Sequence, residues 1–193
     1  MLRVVAGRHR GRRLAAPPGE ATRPTADRVR QALFDSLWHA PWAGRAVLDG
    51  AEVLDAFAGT GAMGIEALSR GAARAHFIER DRAALAALRA NIAALGEGAR
   101  AVVLPADATR PPRGPRCGLV FLDPPYGQEL VPRAVAALDA AGWIAPGAIV
   151  CAELGRDDAF TPSWEVLAER THGAARTVVL RRPQPGMAPG SVP

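Results

Sequence analysis

The chain has 193 residues, an apolar fraction of 49% and a formal net charge of +5, which fits one α/β domain with a small appendage and excludes a disordered chain. All 24 basic residues are arginine, a side chain suited to phosphates and planar base edges, so an acidic partner is expected. Cys117 and Cys151 stand far apart with no C-x-x-C or Cys/His cluster, and no 18-residue apolar run or signal-peptide core occurs. A reducing cytoplasm with buried thiols is therefore expected, with no bound metal and no membrane.

Leu2–Leu14 alternates weakly around Gly7 and Gly11, as in a short hairpin, and carries Arg3, Arg8, Arg10, Arg12 and Arg13 with no acid to offset them. Such a density of like charge repels itself unless a polyanion is near, which points to a phosphate-binding arm. Pro17-Pro18-Gly19 punctuates a linker. Arg23-Pro24-Thr25 then leads into a helix over Ala26–His39, with Thr25 as its cap. Val29, Ala32, Leu33, Phe34 and Leu37 share one face, and Arg28 and Arg30 lie off its centre. Pro41 ends the helix, and a loop over Trp42–Glu52 follows.

Val53–Gly64 reads V-L-D-A-F-A-G-T-G-A-M-G, a strand running into a glycine-rich turn, and Ile65–Arg70 reads as the helix behind it, stopped by Gly71. Gly59, Gly61 and Gly64 match G-x-G-x-x-G. Glycines there allow positive φ and close approach of a ligand, and the free N–H groups of a helix start face that ligand. Ala75–Glu79 is a second strand, ending in an acid 20 residues after Gly59 that can accept from ribose hydroxyls. Asp81 caps a helix with Leu85, Leu88, Ile92 and Leu95 in one stripe, closed by Gly96. Ala101–Leu104 is a third strand, with Asp107 on the loop after it, and Pro111–Pro115 is irregular.

Leu119–Leu122 is a continuous apolar run, as expected of a parallel strand buried on both faces, and it ends in Asp123-Pro124-Pro125-Tyr126. A helix over about Glu129–Ala141, a strand over Ile149–Leu154 and a hairpin of Trp164–Thr171 with Ala174–Leu180 complete the pattern, ahead of a disordered tail. The alternation implies an α/β fold with an open, mostly parallel sheet and a terminal antiparallel hairpin.

In open α/β sheets ligands bind beyond the carboxyl ends of the strands, where strand order reverses. Asp55 with the glycines, Glu79, Asp107 and Asp123–Tyr126 all stand at such ends. The two prolines fix φ and hold their carbonyls as rigid acceptors, and Tyr126 adds a flat face. Asp123 and the Pro124 carbonyl can accept both hydrogens of an amine on a planar base stacked against Tyr126. That favours a pyramidal nitrogen and aims its lone pair at an electrophile such as a sulfonium methyl, with positioning supplying much of the rate.

With those motifs, the chain resembles the S-adenosylmethionine-dependent amino-methyltransferases of nucleic acids. The blocks G-R-H-R-G-R-R-L, R-P-T-A-D-R-V-R-Q-A-L-F, L-D-A-F-A-G-T-G-A-M-G-I-E-A-L-S-R-G-A and F-I-E-R-D resemble, more closely, the bacterial small-subunit ribosomal RNA guanine-N2 methyltransferases of the RsmD type. The resemblance implies a seven-stranded, Rossmann-like methyltransferase sheet over residues 23–182, a basic RNA-contacting hairpin over 1–22 and a tail over 183–193. It implies S-adenosylmethionine across Asp55, Phe57, Gly59, Thr60 and Gly61, with Gly64 opening the helix, Glu79 on the ribose and Asp107 near the adenine. The RNA side would fall to Arg3, Arg8, Arg10, Arg12, Arg13, Arg23 and Arg28. The implied substrate is one guanine of small-subunit ribosomal RNA in an assembled or assembling subunit, met by a monomer. Two departures stand out: Cys117-Gly118 replaces a frequent aromatic–Asp pair and weakens the strand start, and Phe57 occupies the place of the first glycine in the commoner methyltransferase pattern.

Three rivals compete. A nicotinamide-dependent oxidoreductase leaves Asp-Pro-Pro-Tyr and the arginine arm unexplained. An adenine-N6 DNA methyltransferase shares the chemical core but usually needs an additional target-recognition region. A catalytically silent RNA-binding module leaves the intact tetrapeptide without a purpose.

Overall fold

Apolar runs and amphipathic helices alternate along the chain, and in the computed structural model they assemble into one seven-stranded sheet among the described residues, 2–17 and 24–185. Arg23, the linker beyond Pro17, the side chain of Thr25 and the tail from residue 186 lie outside that description. The elements are α1 (Pro24–His39), β1 (Glu52–Ala56), α2 (Ala62–Ser69), β2 (Arg74–Glu79), α3 (Arg82–Leu95), β3 (Ala101–Pro105), β4 (Cys117–Leu122), α4 (Leu130–Ala140), β5 (Ile144–Gly155), β6 (Glu165–His172) and β7 (Ala175–Arg181). Strand order is β3-β2-β1-β4-β5-β7-β6; every neighbouring pair from β3 to β5 is parallel, and β7 runs antiparallel to both β5 and β6. Order reverses between β1 and β4, which opens a crevice there.

The central strands β1, β2, β4 and β5 are buried on both faces, so their residues alternate between two cores. Leu54, Ala56, Val120, Leu122, Val150 and Ala152 face one side, where α4 brings Val131, Ala134 and Leu138. Val53, Leu119, Phe121 and Cys151 face the other, against Phe34 and Leu37 of α1. Phe77 and Ala75 share that second side with Ile65 and Leu68 of α2 and Leu88 and Ile92 of α3. Between β3 and β4 the chain runs without a helix, and Trp143 Nε1 donates to the Pro112 carbonyl at 2.7 Å to hold that segment in place.

Local signals explain several boundaries. The Asp81 side chain accepts from Ala84 N at 2.8 Å, and Gly96, at φ 70°, closes α3 in the left-handed conformation. Helix α2 begins at Ala62, three residues earlier than the apolar pattern suggests, directly behind Gly61 at φ 84°. Strand β4 starts at Cys117 despite Gly118; the register to β5 shifts there and Cys117 is fully buried. Strand β5 begins at Ile144 rather than Ile149, passing through Pro146 and Gly147, the latter at φ 75°.

Two features correct the sequence picture. Arg30 sits in the middle of the buried face of α1, in line with Phe34 and Leu37. It survives burial because it donates to the Arg3 carbonyl (2.5 Å) and to Asp27 (2.8 Å), and its Nε lies 3.7 Å from Glu66. The N-terminal hairpin is present, with Arg3 bridged to Arg13, yet it is docked against the domain. Leu2, Val4 and Leu14 enter the core beside α2 and α3, and the fully buried Glu66 accepts from Val5 N (2.8 Å), Ala6 N (2.9 Å) and Arg70 Nε (2.7 Å). Ser69 takes His9 N at 3.0 Å and donates to the Ala6 carbonyl at 2.5 Å. Among the described residues no helix is long and apolar enough to cross a membrane.

Candidate active site

Asp55 on β1, Glu79 at the end of β2 and Asp123 just past β4 come together because Ala56 pairs with both Ile78 and Leu122. Three carboxylates thus stand at the carboxyl ends of three adjacent strands, at the reversal point. Asp55 is only 2% exposed and accepts from Gly64 N at 2.8 Å, so it fixes the turn from below instead of lining its surface. Burial raises its pKa, the Gly64 N–H pulls the other way, and Asp123 and Glu79 raise it further, to about 8. Glu79 is more heavily engaged than a free ribose acceptor: it takes Gly59 N on one oxygen and Arg80 N and Asp81 N on the other, each at 2.7 Å. Asp107 accepts from Thr109 N (2.8 Å), Thr109 Oγ1 (2.7 Å) and Arg80 Nη1 (3.0 Å), and these donors hold its carboxyl below the usual range.

The three glycines of the turn divide their work. A Cβ on Gly61 would lie 2.3 Å from Leu88 Cδ1, and one on Gly64 would lie 2.4 Å from the Phe77 ring, so both are demanded by packing. Gly59, at φ 53°, has nothing within 4 Å of such a Cβ, which makes it the position open to a ligand. The N–H groups of Gly59, Gly61, Gly64 and Ile65 already have protein acceptors. Those of Thr60, Ala62 and Met63 have none among the described residues, and they present donors at a helix start. Phe57 adopts φ 65°, the conformation a glycine would take at that place, and it packs on the α4-side core.

Across the crevice, Asp123 is exposed at its surface, although the protein packed around the residue still desolvates its carboxyl. That desolvation, followed by the charge of Glu153, pushes its pKa up to about 7. Tyr126 is 45% exposed, and its hydroxyl donates to Glu153 Oε1. Burial, then this carboxylate, raises the phenol above its ordinary range. Glu153 follows Ala152, which pairs with Leu122, so it stands beside Asp123 on the neighbouring strand. Asp158 braces this wall by accepting from Gly127 N (3.2 Å) and Gly155 N (2.9 Å). Pro124, Pro125, Tyr126 and Glu153 line one side of a cleft of about 220 Å³.

Sequence patterning brought Asp55, Glu79, Asp107 and Asp123 to this crevice but passed over Glu153. The signal was present: like the others, Glu153 is an acid closing an apolar strand, I-V-C-A-E. Sequence patterning does not single out Glu66 or Asn91 either, buried polar residues that carry the turn's helix and loop; each interrupts an apolar helix face. Of the arginines assigned to RNA, Arg8 pairs with Glu97 at 2.6 Å, Arg12 donates to the Ala94 carbonyl at 3.2 Å and Arg3 lies 3.7 Å from Asp27. Arg10, Arg13 and Arg28 are exposed, and their guanidinium groups have no partner among the described residues. No group of three or more His, Cys, Asp or Glu among the described residues is arranged to hold a metal ion.

Residues 2–181 match the family model described as "Conserved hypothetical protein 95". The chain is 42% identical over 153 residues to the ribosomal RNA small subunit methyltransferase D of Escherichia coli K12, covering 79% of this chain and 74% of that one. It is 35% identical over 179 residues to the protein of the same name from Haemophilus influenzae, covering 89% of each. The solved structure of the Escherichia coli protein yhhF superposes with a TM-score of 0.80 at 37% identity, over 95% of this chain and 98% of that one. The chain therefore belongs to the ribosomal RNA small subunit methyltransferase D family.

Proposed function

We propose that the protein transfers a methyl group from S-adenosylmethionine to the exocyclic N2 amine of a guanine in small-subunit ribosomal RNA, acting as a monomer in the cytoplasm on an assembled or assembling subunit. The observation that carries this reading is Asp123-Pro124-Pro125-Tyr126 standing across the strand-order reversal from the glycine turn. The residues present fit the cofactor: Gly59 leaves room for close approach, Thr60, Ala62 and Met63 offer free N–H donors, and the carboxyls of Glu79, Asp107 and Asp123 stand at the crevice as acceptors. When bound, S-adenosylmethionine supplies a methyl group on a positively charged sulfur, open to in-line displacement by the guanine amine. Phe57, Gly59, Thr60, Gly61 and Gly64 would form its bed, with Glu79 and Asp107 on the ribose and adenine side.

Asp123 and the Pro124 carbonyl would accept the two amine hydrogens, hold the nitrogen pyramidal and draw off the spare proton. Tyr126 would stack on the base, its ring fixed through Glu153. Stacking of this kind contributes about 1–3 kcal/mol per base, comparable with the few kcal/mol needed to extrude a base. Arg3, Arg8, Arg10, Arg12, Arg13, Arg23 and Arg28 would meet phosphates.

The test is to incubate methyl-tritiated S-adenosylmethionine and the protein with small subunits from a strain lacking it, then analyse the nucleosides. Label in N2-methylguanosine is the expected result. Label confined to N6-methyladenosine, or transfer to DNA in preference to ribosomal RNA, would overturn it.

A further inference from the structure

An amine acceptor such as Asp123 serves the N2 of guanine and the N6 of adenine equally well, so something else must tell the two bases apart. They differ beside the amine. Guanine carries a hydrogen on N1, whereas adenine carries a lone pair there. A fixed acceptor next to Asp123 therefore selects guanine, and a fixed donor selects adenine.

Glu153 is such an acceptor. It stands on β5 one residue past Ala152, the partner of Leu122, which directly precedes Asp123, and it lines the same cleft as Pro124, Pro125 and Tyr126. The Tyr126 hydroxyl donates to Oε1, which pins the carboxylate and leaves Oε2 to accept. Asp158, bridging Gly127 and Gly155, keeps the tetrapeptide loop and the end of β5 in one frame. The cleft has a volume of about 220 Å³, and Asp123, which is not among its lining residues, directly precedes Pro124 at its edge.

Resting on the guanine-N2 reading above, we propose that Glu153 is the specificity-determining residue of the base pocket, accepting the N1–H of the target guanine while Asp123 and Pro124 hold its amine. A base with a lone pair at N1 would face the carboxylate acceptor to acceptor, and a buried acceptor left unmatched carries the larger penalty. Tyr126 then has two duties, one face for the ring and one hydroxyl to aim Glu153.

The test uses small-subunit RNA ligated to carry either guanine or 2,6-diaminopurine at the position found to be methylated. Diaminopurine keeps the 2-amine but has an N1 lone pair in place of the hydrogen. The wild-type protein should prefer guanine in kcat/KM by roughly 5- to 150-fold, as one base-edge contact provides. In Glu153→Gln the amide oxygen can still accept from Tyr126 while its NH₂ turns to the base, so diaminopurine should gain, guanine should lose, and the ratio should fall towards one. Glu153→Ala should collapse the ratio with no gain on diaminopurine. Calorimetric affinity for S-adenosylmethionine should match wild type in both variants, which separates a lost contact from a damaged fold. An unchanged ratio in Glu153→Gln overturns the role of Glu153 and leaves the guanine reading standing. Wild-type protein that leaves N2 of every guanine unmethylated overturns that reading and this inference together.

Discussion

Asn91 donates from Nδ2 to the carbonyl of Thr60, at the heart of the glycine turn, across 3.0 Å. The same side chain clasps Ala15, accepting from its N–H at 2.7 Å and donating to its carbonyl at 3.0 Å. Ala15 directly follows the N-terminal hairpin, so one buried amide on α3 holds both the end of the hairpin and the floor of the candidate cofactor site. Removing it in Asn91→Ala strands buried polar groups at about 1–3 kcal/mol in total. The melting temperature should drop by roughly 2–4 °C per kcal/mol at this chain length. Affinity for S-adenosylmethionine, measured by calorimetry, should weaken as well, although Asn91 lies beneath the turn. Unaltered melting and affinity would show that the clasp is idle.

The acceptor duty proposed for Asp123 requires the ionised form, and its pKa of about 7 places that requirement in the working range. Below the pKa the carboxyl is protonated and cannot take both roles, so single-turnover methyl transfer should rise with pH and level off above it. A cation bound nearby favours the charged form, so with cofactor saturating the midpoint should fall at or below about 7. Asp123→Asn should keep residual activity and lose the rising limb, whereas Asp123→Ala should abolish transfer with cofactor affinity kept within a few-fold. Persistence of the rising limb in Asp123→Asn would assign it to another group.

Asp55 offers a thermodynamic readout. Its pKa rises from 3.8 to about 8 on folding, so the native state holds an extra proton between those values and stability falls as pH rises through that window. Asp55→Asn removes the charge while its amide oxygen can still accept from Gly64 N. The variant should melt near wild type at about pH 4 and progressively above it up to about pH 8, by at most about 1.4 kcal/mol per pH unit crossed, and keep a constant lead beyond. Melting curves at a series of pH values decide this, and parallel curves for the two proteins would count against a buried, proton-holding Asp55.

On the hairpin, Arg8 and Arg12 are engaged by Glu97 and the Ala94 carbonyl, while Arg10 and Arg13 are exposed and their guanidinium groups have no partner among the described residues. The double variant Arg10→Ala/Arg13→Ala should therefore leave melting and cofactor affinity intact. It should flatten the dependence of log RNA affinity on log salt by about 1–2 units, one per lost phosphate contact. A salt titration that keeps its slope would move the RNA surface away from the hairpin tip.

Why some of this was legible in the sequence and some was not follows from the range of the interactions. Gly59 and Gly61 take positive φ, a demand glycine meets within its own residue, and Asp81 and Gly96 cap α3 through neighbours three or four positions away. Apolar runs such as Leu119–Leu122 announce buried strands by themselves. The burial of Arg30 is hidden in the sequence because a charged residue on a helix reads as solvent-facing until its partners are known, and Glu66 lies 36 residues further along. The true start of strand β5 is hidden because Pro146-Gly147 imitates a turn, and only its pairing with β4 carries it back to Ile144. Glu153 escaped for the same reason, since its neighbourhood with Asp123 is a property of strand register.

Phe57 at φ 65° and Glu129 at φ 49°, the N-cap of α4, are side-chain-bearing residues held in a left-handed conformation, and they stand at the two ends of the machinery, behind β1 and beyond Tyr126. Each costs about 1–2 kcal/mol relative to an unstrained residue. Anyone selecting heat-resistant descendants of this protein will find relief at these two positions cheaply, by glycine or asparagine. The gains will not be equivalent: Glu129 is exposed, whereas replacing Phe57 also strips a ring from the core beside the candidate cofactor site. A screen for survival alone, run without a screen for methyl transfer, would therefore drift towards sturdy proteins with a slackened site.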